Sequence, residues 1–346
     1  MAIIGIVFCH SATLYVARDI GTSNFYFSAF YDCFRDLCIP IFVMLSGALL
    51  IGKKDTIVSF FKRRLSRIFI PFIFWCIVYI FYSSRYLIKK FDWGNAISIF
   101  LGKGGTLGVA FWFIWMIVIA YIGIFIINKL LDYAKEKDFD KKLINILTIL
   151  SVVYIVMFQL HIFSKGYYSS ILAYYVSFIP YTIIGYFLAN TNFLESKISR
   201  NILIPTALIL SAILYFYYVL GYVVPTSILN NSFTTLAYFN VLILAMSACV
   251  FLLFKYLSKT DSMTRLENSK FGNAIITLSI YSYGIYLAHY VILFYLRRVM
   301  MKFTNVYTLN SIIWVPIFVM LTVAASFVVL YILNKIPYLD KITGTG

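Results

Sequence analysis

Charge is scarce in this chain of 346 residues. Only 12% of the residues are Asp, Glu, Lys or Arg, whereas 62% are hydrophobic and the mean hydropathy is +0.90. About a quarter of the residues of a soluble domain are charged, so this sequence has too few charges to cover a surface in water. The composition therefore excludes a soluble protein and favours one that is embedded in lipid.

Cysteine pairs and the common ligand-binding loops are also missing from the sequence. The five cysteines lie in or beside apolar stretches and form no CxxC pair, which favours buried thiols over a disulfide scaffold. No histidine or cysteine pair has metal-ligand spacing, no GxSxG elbow occurs, and the glycine-rich run 102–108 lacks the order of a Walker loop. We therefore predict no metal site.

The net charge of +16 does not indicate a nucleic-acid partner. The basic residues lie in short loops beside apolar spans, where membrane topology and anionic lipid account for them. No nucleic-acid fold signature accompanies them. Membrane lipid is therefore a predicted partner, and nucleic acid is not.

About ten apolar stretches are each long enough to cross a bilayer, which takes roughly 20 residues of helix. Their continuous apolar character favours helices over the alternating strands of a barrel. The prediction is an all-α, polytopic transmembrane helical bundle that forms a single domain over residues 1–346. Its spans lie near 1–17, 30–51, 68–84, 109–128, 143–163, 171–189, 202–220, 236–257, 274–296 and 311–333.

The distribution of basic residues predicts the orientation of these spans. Most of the 29 lysines and arginines lie in the loops that follow the even-numbered spans. The positive-inside rule places those loops in the cytoplasm. With an even number of spans, both termini are then cytoplasmic, and the protein is predicted to be a multi-pass protein of the cell membrane.

The three histidines are candidates for chemistry. His10 lies inside the first predicted span and His289 inside the ninth. An ionisable residue within the membrane is a functional candidate by default, and the alternative for each is a simple hydrogen bond to a neighbouring helix. His161 lies at the outer end of the fifth span, where a histidine is unremarkable.

A cluster of charged residues opens the second predicted span. Helical spacing places Arg35 on one face with Asp32, and Asp36 lies one turn from Asp32. Such a cluster is suited to holding a polar acceptor or orienting a catalytic base; the alternative is an ion pair that neutralises itself. Farther along this span, small residues let helices approach closely, so helix packing is the alternative to a functional role for Ser46 and Gly47.

The densest basic run, Lys62-Arg63-Arg64-Leu65-Ser66-Arg67, lies at the cytoplasmic end of the third span. Guanidinium groups bind phosphates in a bidentate way, and a helix presents Arg64 and Arg67 on one face. With Arg63, they are candidates for binding a nucleotide-bearing cosubstrate. The alternative is a topology anchor that contacts lipid headgroups.

Taken in order, several segments resemble acyltransferase family 3, the integral membrane O-acyltransferases, and the resemblance covers nearly the whole chain. Its first piece is the segment around His10, which resembles the histidine motif of the first span. The matching segments are 2–11, 40–47, 61–71, Phe111-Trp112-Phe113-Ile114 and 281–289, and the last of these ends at His289.

The resemblance implies transfer of an acyl group, usually acetyl, from cytoplasmic acyl-CoA to a hydroxyl of a cell-surface glycan or lipid-linked sugar. It implies that His10 is the essential histidine and that Arg64 and Arg67 serve the CoA side. Within the matched segments, Ser46, Trp112 and His289 are predicted to bind substrate. The family also has an arginine in an Arg-x10-His pattern. That position would precede Met1, so we expect either a natural start upstream or an inactive chain.

Acyl transfer to an alcohol needs a base and stabilisation of the developing oxyanion, and histidine suits the first task near neutral pH. The hypothesis is that His10 deprotonates the acceptor hydroxyl or transiently accepts the acyl group. Asp32, Arg35 or Asp36 would orient His10 or the sugar. The alternative function is a transporter or exporter of a glycan or lipid-linked sugar. Transporter folds often carry inverted repeats, and no repeat is found in this sequence.

Overall fold

The computed structural model describes residues 2–16, 20–33, 35–54, 56–84, 92–103, 107–159, 171–192, 197–223 and 240–345, so His161 lies outside the described residues. Over these ranges the chain forms helices and no β-strand. The helices are α1 (Ala2–Val16), α2 (Ser23–Cys33), α3 (Arg35–Leu50), α4 (Ile57–Ser84), α5 (Trp93–Phe100), α6 (Trp112–Lys135), α7 (Asp140–Gln159), α8 (Ile171–Val176), α9 (Ile179–Asn190), α10 (Lys197–Val223), α11 (Val241–Leu257), α12 (Asp261–Glu267), α13 (Lys270–Ile280), α14 (Ser282–Met300), α15 (Ser311–Leu333) and α16 (Asp340–Thr343), with short 3₁₀ turns at Leu107–Phe111 and Val306–Thr308.

The helices confirm a polytopic, all-α membrane protein. By length and apolar composition, seven helices of the described chain are able to cross a membrane, or up to nine if each of two bent pairs is one span. The first predicted span forms α1, which has only 15 residues. At 1.5 Å per residue α1 is about 22 Å long, less than the roughly 30 Å of a bilayer core. The predicted total of about ten spans stays a prediction.

Two predicted spans are interrupted rather than continuous. The span 171–189 contains α8 and α9, and the span 274–296 contains α13 and α14, which meet at an angle of 71°. The first break precedes Pro180, and the residue before a proline is disfavoured in a helix. Apolar composition does not change at such breaks, so the sequence pattern did not reveal them.

Two glycines allow α3 and α9 to cross at close range. Gly47 lies against the backbone of Thr182, and Gly185 lies against the backbone of Met44. A Cβ atom at either glycine would collide with the opposite main chain. Close packing of α3 against α9 therefore accounts for Gly47, as we predicted from the small residues of the second span.

Tyrosine hydroxyl groups fix α4 against α14. The hydroxyl of Tyr79 donates to the carbonyl of Leu287 at 2.8 Å and accepts from the amide of Val291 at 3.2 Å. At one end of the same helix pair, the hydroxyl of Tyr283 on α14 donates to the carbonyl of Ile68 on α4 at 2.7 Å. Polar groups in lipid need partners within the protein, so these bonds set the register of the two helices. The basic part of α4 consequently lies beside the first turn of α14.

The segment that follows α15 folds back onto this helix pair. The indole of Trp75 donates to the carbonyl of Thr343 at 3.3 Å. The amide of Gly284 lies in the first turn of α14, where amides have no acceptor within the helix, and it donates to the carbonyl of Gly344 at 3.0 Å. The hydroxyl of Thr343 also donates to the side chain of Asn334 at 2.9 Å. These contacts hold residues 340–345 at one end of the bundle.

Candidate functional site

A cavity of about 1080 Å³ lies within the bundle. Helices α1, α3, α4, α6, α13 and α14 line it, together with the segment after α15. On α6 the lining runs from Phe113 to Tyr121, which corresponds to about 12 Å of helix. The walls are mostly isoleucine, leucine and phenylalanine, and the charged lining residues of the described chain are Arg67 and Lys341. The cavity is therefore an apolar chamber with cations in its lining.

The apolar chamber ends close to both intramembrane histidines. Its lining reaches Ile6 on α1 and Tyr286 on α14, and His10 and His289 each lie one helical turn farther on. The rings of Tyr286 and His289 have their centroids 5.8 Å apart. Ile3 on α1 and Lys341 in the segment after α15 both line the same chamber. That this end of the bundle faces the cytoplasm stays a prediction.

The two histidines come together from opposite ends of the sequence. Their ring centroids are 5.3 Å apart and the ring planes are inclined by 32°. The ring of Tyr290 meets His10 edge to face at 4.9 Å. His10 is half-buried, whereas His289 is buried. The structure therefore forms one imidazole pair from two residues that the sequence indicated separately.

Hydrogen bonding fixes the tautomer of His289. Its Nδ1 lies within hydrogen-bonding distance of the carbonyl of Tyr286. A carbonyl only accepts, so Nδ1 carries the hydrogen and Nε2 of the neutral ring is an acceptor. Nε2 is buried and has no hydrogen-bond partner in the described part of the chain. A buried acceptor left unpaired costs about 1–3 kcal/mol, so this nitrogen is suited to a proton or to a donor group that enters the site.

Arg297 joins the two histidine-bearing helices and was not identified from the sequence. Its guanidinium donates to the carbonyl of His10 and, at 3.2 Å, to the carbonyl of Ser11. In the sequence, Arg297 is one of two arginines that follow the ninth predicted span at its outer end. The distribution of basic residues gave no reason to distinguish it from other loop residues. These bonds tie the middle of α1 to the last turn of α14.

The predicted charged cluster is present and lies beside His10. Nε of Arg35 donates to Asp36 at 2.9 Å, and Nη1 of Arg35 lies 3.7 Å from the carboxylate of Asp32. The hydroxyl of Tyr218 on α10 also donates to Asp32. Asp32 lies near the end of α2, and Arg35 and Asp36 lie in the first turn of α3. Both carboxylates are buried.

A contact with Cys9 connects this cluster to α1. Nη1 of Arg35 lies 4.0 Å from the sulfur of Cys9, the residue directly before His10. Arg35 therefore contacts α1, the helix that carries His10, in addition to the carboxylates of Asp32 and Asp36. Roles in orienting His10 or a sugar stay predictions.

The three predicted phosphate-binding arginines have different surroundings. Arg63 is exposed and donates to the carbonyl of Ser59 at 3.2 Å. The guanidinium of Arg64 lies 4.1 Å from the centre of the Phe60 ring. Of the three, Arg67 lines the apolar chamber. Phosphate binding by Arg63, Arg64 and Arg67 together stays a prediction.

Ser46 and Trp112 do not line the chamber. The hydroxyl of Ser46 donates to the carbonyl of Phe42 in its own helix at 3.0 Å. The ring of Trp112 lies 5.7 Å from that of Tyr174 and 6.0 Å from that of Phe178. Phe42, one helical turn from Ser46, and Phe113, which follows Trp112, do line the chamber. Substrate binding by Ser46 and Trp112 stays a prediction.

Comparison with known proteins identifies the family of the chain. The chain matches the family model described as the acyltransferase domain of acyltransferase family 3 over residues 1–331. That range includes the imidazole pair, the charged cluster and most of the helices that line the chamber. No curated protein and no solved structure matches the chain. The chain belongs to acyltransferase family 3 and is a multi-pass membrane acyltransferase.

Proposed function

We propose that the protein transfers an acetyl group from cytoplasmic acetyl-CoA to a hydroxyl of a cell-envelope polysaccharide or lipid-linked glycan, at the cell membrane. The observation that carries this proposal is the apolar chamber, which has cations in its lining and ends one helical turn from the imidazole pair. The family supplies the reaction class, acyl transfer. The chamber supports a donor with an anionic head and a slender arm.

Acetyl-CoA has the shape that the chamber suits. Its phosphates would remain beside Arg67, and its pantetheine arm, a thin chain of amides and methylenes, would follow the apolar walls. The thioester would then reach the region of Tyr286. The chamber supports a route along which a cytoplasmic thioester would reach a histidine within the membrane.

The proposed reaction is a direct transfer with His10 as the base. His10 accepts the proton of the acceptor hydroxyl while the hydroxyl oxygen attacks the thioester carbonyl carbon. The carbon–sulfur bond breaks, and the leaving thiolate takes the proton from the imidazolium of His10. The products are the O-acetyl ester and free CoA. General acid–base catalysis of this kind contributes about 10²–10⁴-fold to the rate.

Thioester consumption and glycan labelling test the proposal together. The purified protein is placed in lipid vesicles with radiolabelled acetyl-CoA and a cell-envelope glycan fraction. We expect release of free thiol and a matching amount of label in the glycan. An exporter without chemistry would neither consume the thioester nor label the glycan, and that result would overturn the proposal.

We predict that His289 contributes to catalysis through its acceptor Nε2. Two amide variants distinguish the contribution of Nε2 from that of Nδ1. His289→Gln keeps an acceptor near the position of Nε2, whereas His289→Asn keeps a polar group only near Nδ1. We expect kcat to fall at least tenfold in His289→Asn and much less in His289→Gln, with KM for acetyl-CoA unchanged in both. Steady-state thiol release measures this. Equal losses in the two variants would mean that His289 only fills space.

A further inference from the structure

Two cations from distant parts of the chain lie at the apolar chamber. Arg67 belongs to α4 and Lys341 to the segment after α15; both are exposed, and both line the chamber. The described residues give neither of them an ion-pair partner. Ser66 and Ser282 add hydroxyl groups to the same lining. A pair of uncompensated cations with nearby hydroxyls is the composition of an anion site.

The segment that carries Lys341 is held beside Arg67 by its own contacts. Gly344 has a φ of +87°, a left-handed conformation that favours glycine. A Cβ atom at Gly344 would lie 3.3 Å from Cβ of Pro71, and Pro71 is one helical turn along α4 from Arg67. Hydrogen bonds from Trp75 and Gly284 fix the same segment from two sides. The segment is therefore a fixed part of the chamber lining.

We infer that Lys341 and Arg67 together form the site that binds the phosphate groups of the donor; this inference rests on the proposed function. Guanidinium binds phosphate in a bidentate way, whereas ammonium acts as a compact point charge. A CoA molecule carries several phosphates on its nucleotide, so it offers a group to each cation. The apolar walls beyond the cations exclude phosphate and accept the uncharged arm. The segment after α15 thus selects for a nucleotide-linked thioester.

An anionic lipid offers the same chemistry, since it also joins a phosphate to an apolar chain. The two sources differ in what the phosphate does. If Lys341 binds CoA, removing its charge weakens the use of acetyl-CoA but not that of S-acetyl-pantetheine, which lacks the nucleotide. If it binds lipid, removing the charge changes the response to phosphatidylglycerol in the vesicles and leaves KM for acetyl-CoA unchanged.

The test compares Lys341→Ala with the wild type and with Lys335→Ala. Lys335 is an exposed lysine of the same segment, lies 4.8 Å above the ring of Tyr331, and does not line the chamber. We expect Lys341→Ala to raise KM for acetyl-CoA about tenfold, the loss of one charge-assisted contact, with kcat within about twofold. With S-acetyl-pantetheine, the variant and the wild type have the same KM. Lys341→Arg keeps the low KM for acetyl-CoA, and Lys335→Ala behaves as the wild type.

Three results would overturn the inference. The first is an unchanged KM for acetyl-CoA in Lys341→Ala; the second is an equal loss with both thioesters, which means that Lys341 only supports the fold. A dependence on phosphatidylglycerol alone is the third, because it assigns the site to lipid. The proposed function fails in a different way: the wild type itself then consumes neither thioester.

Discussion

Replacing His10 by alanine is expected to lower kcat for acetyl transfer by about 10²–10⁴-fold, the contribution of a positioned acid–base group. The folded protein is expected to survive, because His10 is half-buried and its aromatic contacts in the described chain are those with His289 and Tyr290. Its carbonyl, which accepts from Arg297, remains in the variant. Thiol release and glycan labelling in vesicles measure the loss, and size-exclusion chromatography in detergent checks the fold.

Tyr290→Phe is the matched control for His10→Ala. It keeps the ring that meets His10 edge to face and removes only the hydroxyl, so we expect kcat within a few-fold of the wild type. KM for acetyl-CoA is expected to stay constant in both variants, since the proposed phosphate site lies at the other end of the chamber. Normal acetylation by His10→Ala would remove His10 from the mechanism and leave His289 as the base of the pair.

The sequence predicted the class of the fold and most of its spans, because lipid imposes a simple requirement on composition. Twenty or so continuous apolar residues identify a span whatever its neighbours are. The interruptions were not predictable in this way. At the bend between α13 and α14, the amide of Gly284 donates to the carbonyl of Gly344, which lies far away in the sequence.

The candidate site was predicted residue by residue but not as an arrangement. His10 and His289 stood out because an ionisable group within a span is costly, yet nothing local indicated that their rings meet. Lys341 looked like ordinary cytoplasmic charge, and only the fold places it in the same lining as Arg67. The guanidinium of Arg64 lies over the ring of Phe60, a contact that helical spacing does not predict. Spacing fixes the face on which a side chain starts, and the neighbouring groups decide where its end lies.

The charged cluster gives the other large expected effect. Arg35→Ala would leave the carboxylates of Asp32 and Asp36 buried without their cation, and loss of one partner from a buried ion pair costs about 3–5 kcal/mol. We expect a marked fall in the melting temperature of the purified protein and a low yield of folded material. Lys129→Ala is the control, because Lys129 and Asp132 form an exposed pair at 3.9 Å, and such pairs contribute at most about 1 kcal/mol.

A triple variant separates the stability of this cluster from its effect on His10. Arg35→Met, Asp32→Asn and Asp36→Asn together remove all three charges at similar volume, and the amide oxygen introduced at position 32 still accepts from Tyr218. We expect the melting temperature to return close to that of the wild type, since replacing a whole buried ion cluster is often neutral or stabilising. We expect kcat to stay at least tenfold low, because the contact between Arg35 and Cys9, next to His10, is gone. A triple variant with wild-type kcat would show that the cluster only neutralises itself within the bundle.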